Sequence, residues 1–392
     1  MAGADHPAAP FAAPRHGPAM AEALPTASPA PTPAPSKLHS ALWRAADILR
    51  RILLGLFGIF FFILGIQLMK NVAGLIGPLL RTVLGSFTDT PWHALSFGWL
   101  SAYVILSGSP VAALALSFYA TDLLDPETTF FMIMGSRLGA AFIVFVIGAV
   151  AVARGKPREK ALAMGVLSFL VTYSIYIPAI FFGWLLIRLK AYEWVQVPTP
   201  SALIDAIDGF FSPIVSAIMD RVVPVLAFVF AAVAIYTGLA LFDKAFGQRE
   251  VRELKSPRMH KYLRHPAVSF TIGALVTLAS TSVSLSFGLL GPLYLNGYID
   301  RREIVPYMMG ANITTFIDTL VAGFLFGGGI AANIVLIEMA SVTLFSVLAL
   351  AAYGRYSRAI DAAYTFIFHK NWALGMFIVL LFAVPLALLF YF

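Results

Sequence analysis

Residues 280–284 read STSVS and residues 309–318 read MGANITTFID, and each stretch interrupts a long apolar run. A hydroxyl, amide or carboxyl group in hydrocarbon costs free energy unless it is paired or faces a water-filled cavity. Polar clusters inside apolar segments therefore usually line a ligand path. The two stretches predict a binding site buried in an apolar fold.

A weaker copy of this pattern lies upstream. Residues 107–110 read SGSP, and IMGSRLG at 133–139 aligns without a gap with MMGANIT at 308–314. Position 133 thus corresponds to position 308, and every other pair of positions at the same spacing corresponds in the same way. We call this constant spacing the repeat register. A unit that is used twice, each time with a polar break, is typical of transporters built from repeats. The sequence therefore predicts two related halves.

The composition excludes a soluble globular protein. Hydrophobic residues make up 59% of the chain and charged residues only 12%, whereas soluble domains carry about 25% charged residues. The basic residues behind the net charge of +7 cluster between apolar runs, where membrane topology explains them, so no nucleic-acid partner is expected. The chain has no cysteine and its seven histidines show no ligand spacing, so we expect neither a metal site nor a cofactor.

The predicted fold is an all-α polytopic membrane protein with about seven full spans and two re-entrant helical hairpins. Residues 1–45, rich in proline and alanine, indicate a disordered cytoplasmic tail, and residues 73–90 an interfacial helix. The full spans are expected at about 52–69, 129–152, 161–188, 222–242, 303–327, 330–353 and 372–391.

Two apolar runs, 95–121 and 268–295, predict the hairpins. Each is too long for one upright span and too short for two spans of about 20 residues. In the first run, Pro110 suits the first position of a helix and Ser109 its N-cap. We expect a half-helix there whose free N–H groups attract anions. A proline kink satisfied by neighbouring helices is the alternative.

Charged loops predict the orientation of the spans, because basic loops favour the cytoplasm. Residues 154–160 carry four basic residues and residues 243–266 carry seven, whereas residues 122–128 are acidic. Each of these loops can lie on the side of the membrane that its charge favours only if both apolar runs re-enter the membrane. The first hairpin then opens to the outside and the second to the cytoplasm.

This topology makes the two repeats inverted, with a site between them near the middle of the membrane. The first repeat covers residues 46–190 and the second 222–353, joined by an extracytoplasmic connector at 191–221; a loop and a final span follow at 354–392. We expect an integral protein of the cell (inner or plasma) membrane, embedded in the lipid bilayer, with a cytoplasmic N-terminus. A homodimer is left open.

Candidate ligands lie in both hairpins and in the spans that follow them. Carbonyl, hydroxyl and carboxylate oxygens suit sodium, and the stripe of Asn312, Thr315 and Thr319 supplies them at helical spacing; inter-helix contact is the alternative role. The expected ion-binding residues are Asn312, Thr314, Thr315 and Asp318, and the expected substrate-binding residues are Ser107, Ser109, Ser280, Thr281, Ser282, Ser284 and Arg137. No catalytic residue is expected.

Three charged residues fall at a similar depth. Arg137, Asp318 and Glu338 lie roughly 12 to 14 Å inside the outer ends of their spans. Because an unpaired charge there is costly, we expect Arg137 to pair with Asp318, with Glu338 as the alternative partner. A guanidinium also matches the geometry of phosphate or carboxylate, so a structural ion pair and a substrate contact both stay open for Arg137.

These motifs resemble the sodium/phosphate cotransporter family, whose inverted repeats each carry a Gln-Ser-Ser-Ser hairpin followed by a Gly-x-Asn-Ile-Gly-Thr span. The resemblance covers about residues 50–350 as architecture and is best at 280–284 with 310–315, where Thr314 replaces the expected glycine. The first repeat is divergent: Arg137 stands where asparagine is expected, and the glutamine is missing from both copies. The resemblance implies phosphate held by hydroxyls and half-helix ends, with sodium near the Asn-Thr segment. In the first repeat, the guanidinium of Arg137 would replace a bound cation.

The function expected is secondary active transport of a small anion, with inorganic phosphate as the first candidate, sodium as the coupling ion and alternating access as the mechanism. Two alternatives stay open. Gly135-Ser136-Arg137 weakly resembles a segment of undecaprenyl-diphosphate phosphatases, although the paired glutamates of those enzymes are missing. A non-transporting membrane scaffold derived from a transporter would also explain the divergent first repeat.

Overall fold

The structure, a computed structural model, describes residues 37–194, 197–198, 201–254, 262–280, 286–287, 290–291, 293–294 and 299–391. All regular secondary structure in these residues is helical. Eight helical segments among them are long and apolar enough to cross a membrane. The chain is therefore an integral, polytopic, all-α membrane protein, as predicted.

The helices are named here in chain order. They are α1 (Lys37–Leu75), α2 (Gly77–Thr88), α3 (Pro91–Ile105), α4 (Ser109–Ala120), α5 (Pro126–Ala140), α6 (Phe142–Ala153), α7 (Arg158–Arg188), α8 (Ser201–Met219), α9 (Pro224–Leu254), α10 (Pro266–Ser280), α11 (Arg301–Thr314), α12 (Ile317–Ala351), α13 (Tyr353–His369) and α14 (Asn371–Tyr391), with a short 3₁₀ turn at Ala191–Glu193.

One candidate span lies where a connector was expected. Helix α8 falls within residues 191–221, which the acidic side chains had assigned to the extracytoplasmic connector. One of those carboxylates has partners, since Asp208 accepts a hydrogen bond from Gln67 and lies 3.6 Å from Lys70 of α1. By length and composition α8 is thus one of eight candidate spans among the described residues, where about seven full spans and two hairpins were expected.

Two further elements differ from the expected boundaries. Helix α1 begins at Lys37, inside the segment assigned to the N-terminal tail. Helix α13 occupies most of the expected C-terminal loop, and its buried side chains lie on one face at Ser357, Ile360, Tyr364 and Ile367. This spacing, with exposed polar residues between, is that of an amphipathic surface helix.

Helices α3 and α5 run in the same direction. Trp92 packs edge-on against Phe131 near their starts, with ring centroids 5.1 Å apart. Tyr103 near the end of α3 stacks at 4.3 Å on Phe142, which begins α6 directly after α5. Because both helices point the same way, α4 has to carry the chain back between them. The tip of this α3–α4 hairpin, at Gly108, packs against Ser136 near the middle of the 126–153 span.

Glycines allow the backbones of α3 and α5 to touch. A Cβ on Gly135 would lie 1.9 Å from the carbonyl oxygen of Leu95, and one on Gly98 would lie 2.1 Å from that of Met132. The same two distances recur in α10 and α11, where Gly310 meets Phe270 and Gly273 meets Tyr307. All four pairs of positions keep the repeat register, so the sequence repeat is also a repeat of atomic contacts.

Helix α12 bends back on itself at Gly328. This residue has φ +65° and ψ −147°, a conformation that separates two helical segments. The segments pack closely, since a Cβ on Gly323 would lie 3.1 Å from the Cα of Ala332. Asp318 lies ten residues before Gly328 and Glu338 ten residues after it, so each is about 15 Å along its helix from the turn.

Candidate functional site

The site lies where two spans are broken at equivalent positions. The 126–153 span divides into α5 and α6 at Ala141, and the 301–326 span divides into α11 and α12 at Thr315 and Phe316. Ala141 aligns with Phe316 in the repeat register, so the two breaks are equivalent. A broken span exposes helix ends with unpaired backbone groups in the interior, which is a feature of transporter binding sites.

Arg137 lies one turn before the first break and is only 3% exposed. Its Nη1 donates to Ser109 Oγ at 3.3 Å and to Thr315 Oγ1 at 3.2 Å, and its Nη2 donates to Thr319 Oγ1. The guanidinium also lies over the ring of Phe316, 4.7 Å from its centroid. The hairpin tip of the first half and the broken span of the second half therefore hold one cation between them.

Asp318 supplies the charge that faces this arginine. Its Oδ1 lies 3.6 Å from Arg137 Nη2, and both side chains are buried. The same oxygen accepts hydrogen bonds from the backbone N–H and the hydroxyl of Thr319, at 2.6 and 3.0 Å. The predicted pairing of Arg137 with Asp318 is confirmed, and the first turn of α12 favours the carboxylate through its helix dipole.

Asn312 occupies the position equivalent to Arg137 in the second half. The break removes the usual helical partner of its carbonyl oxygen, because the N–H of Phe316 bonds to Ile313 instead, at 3.4 Å. Tyr176 donates its hydroxyl to that carbonyl at 2.9 Å, and the Asn312 side-chain amide donates to Thr172 Oγ1 at 3.2 Å. Helix α7 therefore compensates for the broken backbone of the second half.

A small cavity opens between these groups. Its walls are formed by the α5–α6 break, by α7 and by the end of α11, and its lining residues are Arg137, Ala140, Ala141, Thr172, Tyr176, Asn312 and Thr315. The cavity has room for about one water molecule. In this conformation the site is closed around its own polar groups.

Apart from Thr314, the predicted site residues divide into three groups. Arg137, Ser109, Thr315 and Asp318 are in direct contact, and Asn312 lines the same cavity. Ser107 is half-buried in the α3–α4 linker, and Ser280 is buried at the end of α10. Thr281, Ser282 and Ser284 lie outside the described residues.

Two predicted details are different in the structure. Gly108, not Ser109, is the N-cap of α4, and the Ser109 oxygen accepts a hydrogen bond from Arg137 instead. Thr314 donates its hydroxyl to the carbonyl of Ala274 at 2.9 Å, which ties α11 to α10. At the equivalent place in the first half, Gly139 approaches the carbonyl of Trp99. The threonine in place of the family's glycine is therefore accommodated by a hydrogen bond.

Sequence reasoning missed the contribution of α7. Thr172 and Tyr176 both line the cavity and both bond to Asn312. A weak signal exists, since residues 172–176 read TYSIY inside an apolar run. Isolated hydroxyls on a membrane helix commonly bond to their own backbone, so this cluster did not stand out.

Comparison with known proteins supports the family that the motifs indicated. Residues 61–199 match the model of the Na+/Pi-cotransporter family. The matched region contains the α3–α4 hairpin and Arg137, so the half with the more divergent motifs is the half that matches. No curated protein matches the chain significantly, and no solved structure does. The match confirms, over residues 61–199, the resemblance to the Na+/Pi-cotransporter family found in the sequence.

Proposed function

We propose that the chain is a secondary active transporter of a small anion, with inorganic phosphate as the first candidate and sodium as the coupling ion. In this proposal it works by alternating access in the cell membrane, with its N-terminus in the cytoplasm. The family match supports phosphate and sodium as the transported species. The arrangement around Arg137 supports an anion site at the centre of the fold.

The single observation that carries the proposal is the buried guanidinium held by both halves. Arg137 carries a permanent charge and presents several N–H donors in one plane, which matches the oxygens of a phosphate. Its Nε is buried and has no hydrogen-bond partner in the described part of the chain. An anion that enters the cavity would therefore meet an unused donor as well as a positive charge.

The two halves are proposed to be inverted in the membrane. Three observations support this: the contacts that repeat in register, the hairpin tip near the middle of a span, and the opposed directions of the two broken spans. Arg137 of the first broken span contacts Thr315 and Thr319 of the second. Ala140 and Ala141 follow Arg137 in the chain, yet they line the cavity with Asn312, which precedes Thr315. The two spans therefore run in opposite directions. Inverted repeats allow one half to rock against the other around a fixed site.

The contacts of Arg137 suggest how the anion and sodium would be coupled. In the closed site, its guanidinium donates hydrogen bonds to the hydroxyls of Thr315 and Thr319 and pairs with the carboxylate of Asp318. These oxygens are among those expected to bind sodium. An anion that draws Arg137 away would release these oxygens for a sodium ion. A sodium ion there would in turn favour the displaced arginine, because coupling between two ligands is reciprocal.

The charges are consistent with this exchange. The pair of Arg137 and Asp318 is neutral in the closed site. A monovalent anion at Arg137 together with one sodium at Asp318 leaves the site neutral again, whereas either ligand alone adds a charge to a buried region. Uncompensated charge inside a membrane is costly, so the two ligands would be favoured together.

Uptake of labelled phosphate by proteoliposomes that contain the purified full chain tests the proposal. We expect uptake when sodium is higher outside than inside, and little uptake when potassium replaces sodium. Arg137→Gln should abolish uptake. Arg188→Gln is the matched control, because Arg188 also pairs with a carboxylate, Glu127 at 2.9 Å, but is largely exposed at the end of α7.

Three results would overturn the proposal. The first is uptake no faster than in protein-free liposomes under every gradient. The second is equal uptake in sodium and in potassium, which would remove sodium coupling. The third is full activity of Arg137→Gln when its amount in the vesicles equals that of the wild type, which would remove the anion site.

A further inference from the structure

Glu338 is a fully buried carboxyl group that the proposed exchange does not use. It lies in the second segment of α12 and is 0% exposed. Neither of its side-chain oxygens has a hydrogen-bond partner in the described part of the chain. Asp318 is the other buried acidic side chain among the described residues. Its Oδ1 is paired with Arg137 and accepts two hydrogen bonds from Thr319.

Two side chains that line the cavity interact electrostatically with Glu338. Arg137 of α5 is close enough for electrostatic interaction with Glu338, and Tyr176 of α7 interacts in the same way with both of them. Helix α4, which also packs against α12, carries no charged side chain between Ser109 and Ala120. Glu338 is thus linked to the cavity through Arg137 and Tyr176.

This geometry favours the neutral acid in the closed conformation. A carboxylate whose oxygens are both buried and unpaired loses its hydration without compensation, and such a group takes up a proton instead. The charge of Arg137 favours the carboxylate, but its Nη groups already bind Asp318 and three hydroxyls and do not bond to either oxygen of Glu338. With Glu338 neutral, the charges of the closed site balance.

We propose that Glu338 is a proton-binding site of the transport cycle. It is protonated in the closed conformation, and it releases the proton to water when the site opens and Arg137 leaves Asp318. The step is a reversible protonation of one carboxylate oxygen. Because the closed site without an anion holds the proton, the proton moves in the direction opposite to the anion. This inference rests on the proposed transport function and adds the proton as a second coupling ion.

The first test varies only the pH inside proteoliposomes. With the external pH fixed, the protonation state of the external phosphate stays constant while the proton gradient changes. We expect phosphate uptake by the wild type to rise as the inside becomes more acidic, because the empty transporter then carries a proton out of the vesicle more often. Glu338→Gln, which imitates the protonated acid, should lose this response and should still exchange internal for external phosphate. An equal response to internal pH in both proteins would overturn the inference.

The second test needs no transport. A protonated carboxylic acid has an infrared C=O band distinct from the bands of a carboxylate. Wild-type protein in lipid at neutral pH should show such a band that is lost in Glu338→Gln and kept in Asp318→Asn. The band should also shift in D₂O, because a proton carrier exchanges its proton with water when the site opens. A missing band, or one that does not shift, would overturn the inference.

The two tests separate failure of the inference from failure of the proposed function. If the wild type takes up no phosphate, the transport proposal fails and the infrared band alone decides whether Glu338 binds an exchangeable proton. If uptake occurs but ignores internal pH, transport stands and the proton site is overturned. Glu338→Gln should also give a single symmetric peak in size-exclusion chromatography. This control excludes misfolding as the reason for a lost pH response or a lost infrared band.

Discussion

The two halves of the molecule share their helix packing and differ at the centre of the site. The glycine contacts between α3 and α5 recur, in the repeat register, between α10 and α11. At the equivalent positions before the breaks, however, one half has Arg137 and the other Asn312. Asn312 is satisfied by α7, whereas Arg137 reaches across to the opposite half. Close backbone contact fixes the scaffold, but a side chain that faces a cavity is free to change its chemistry.

The largest effect is expected when this difference is removed. Arg137→Asn gives both halves the same residue and leaves Asp318 buried without its cation. Removal of one partner from a buried ion pair costs about 3 to 5 kcal/mol. The variant should therefore unfold at a clearly lower temperature than the wild type in detergent.

The double variant is the control for this prediction. Arg137→Asn with Asp318→Asn removes both charges, so it should recover most of the lost stability if the pair is the cause. A double variant that is no more stable than Arg137→Asn would show that Arg137 stabilises the fold by some other contact, such as its stacking on Phe316.

The next effect tests the shared packing. Gly135→Ala and Gly310→Ala each place a methyl group against a backbone carbonyl, at 1.9 Å in both halves. Overpacking of this kind costs about 1 to 3 kcal/mol, so both variants should lose stability by similar amounts. Gly375→Ala is the matched control, because a Cβ there has no atom within 4 Å. Loss in only one half would contradict the equivalence of the two helix pairs.

A smaller effect tests the support that only the second half receives from α7. Tyr176→Phe removes the hydroxyl that bonds to the Asn312 carbonyl, and the net loss of one hydrogen bond is about 0.5 to 1.5 kcal/mol. Tyr236→Phe, on a half-exposed tyrosine of α9, should leave the melting temperature unchanged. An equal response of the two variants would mean that the bond to Asn312 adds no stability.

The smallest expected effect concerns sodium. If the guanidinium and sodium compete for the same oxygens, Arg137→Asn should bind sodium more tightly than the wild type does. Its melting temperature should then rise with sodium concentration more steeply than that of the wild type, because a ligand stabilises the state that binds it. Potassium is the control ion. A steeper rise in the wild type would contradict the competition.

The sequence predicted the parts of the site that involve charge and repetition. A charge inside a membrane needs a partner, so the matched depths of Arg137, Asp318 and Glu338 limited the partners of Arg137 to two carboxylates, and the structure shows that Asp318 is the one. The repeat register predicted which helices would correspond. Both signals are strong because few residues can replace a buried charge or a glycine at a backbone contact.

The parts that sequence reasoning missed depend on neutral groups and on tertiary context. No proline marks the break at Ala141, and the hydroxyls of Thr172 and Tyr176 resemble those of ordinary helix residues. The partners of Asp208 on α1 likewise cannot be found from local sequence. Such features are set by which helices meet in space.

The orientation of the two halves is tested most directly by single cysteines in this cysteine-free chain. Asp125 and Asp300 are both exposed, both precede equivalent helices, and align with each other in the repeat register. In intact cells, a membrane-impermeant thiol reagent should label Asp125→Cys and Ile330→Cys from outside. Lys156→Cys and Asp300→Cys should react only after permeabilisation. Labelling of Asp125→Cys and Asp300→Cys from the same side would contradict inverted halves and the alternating-access transporter built on them.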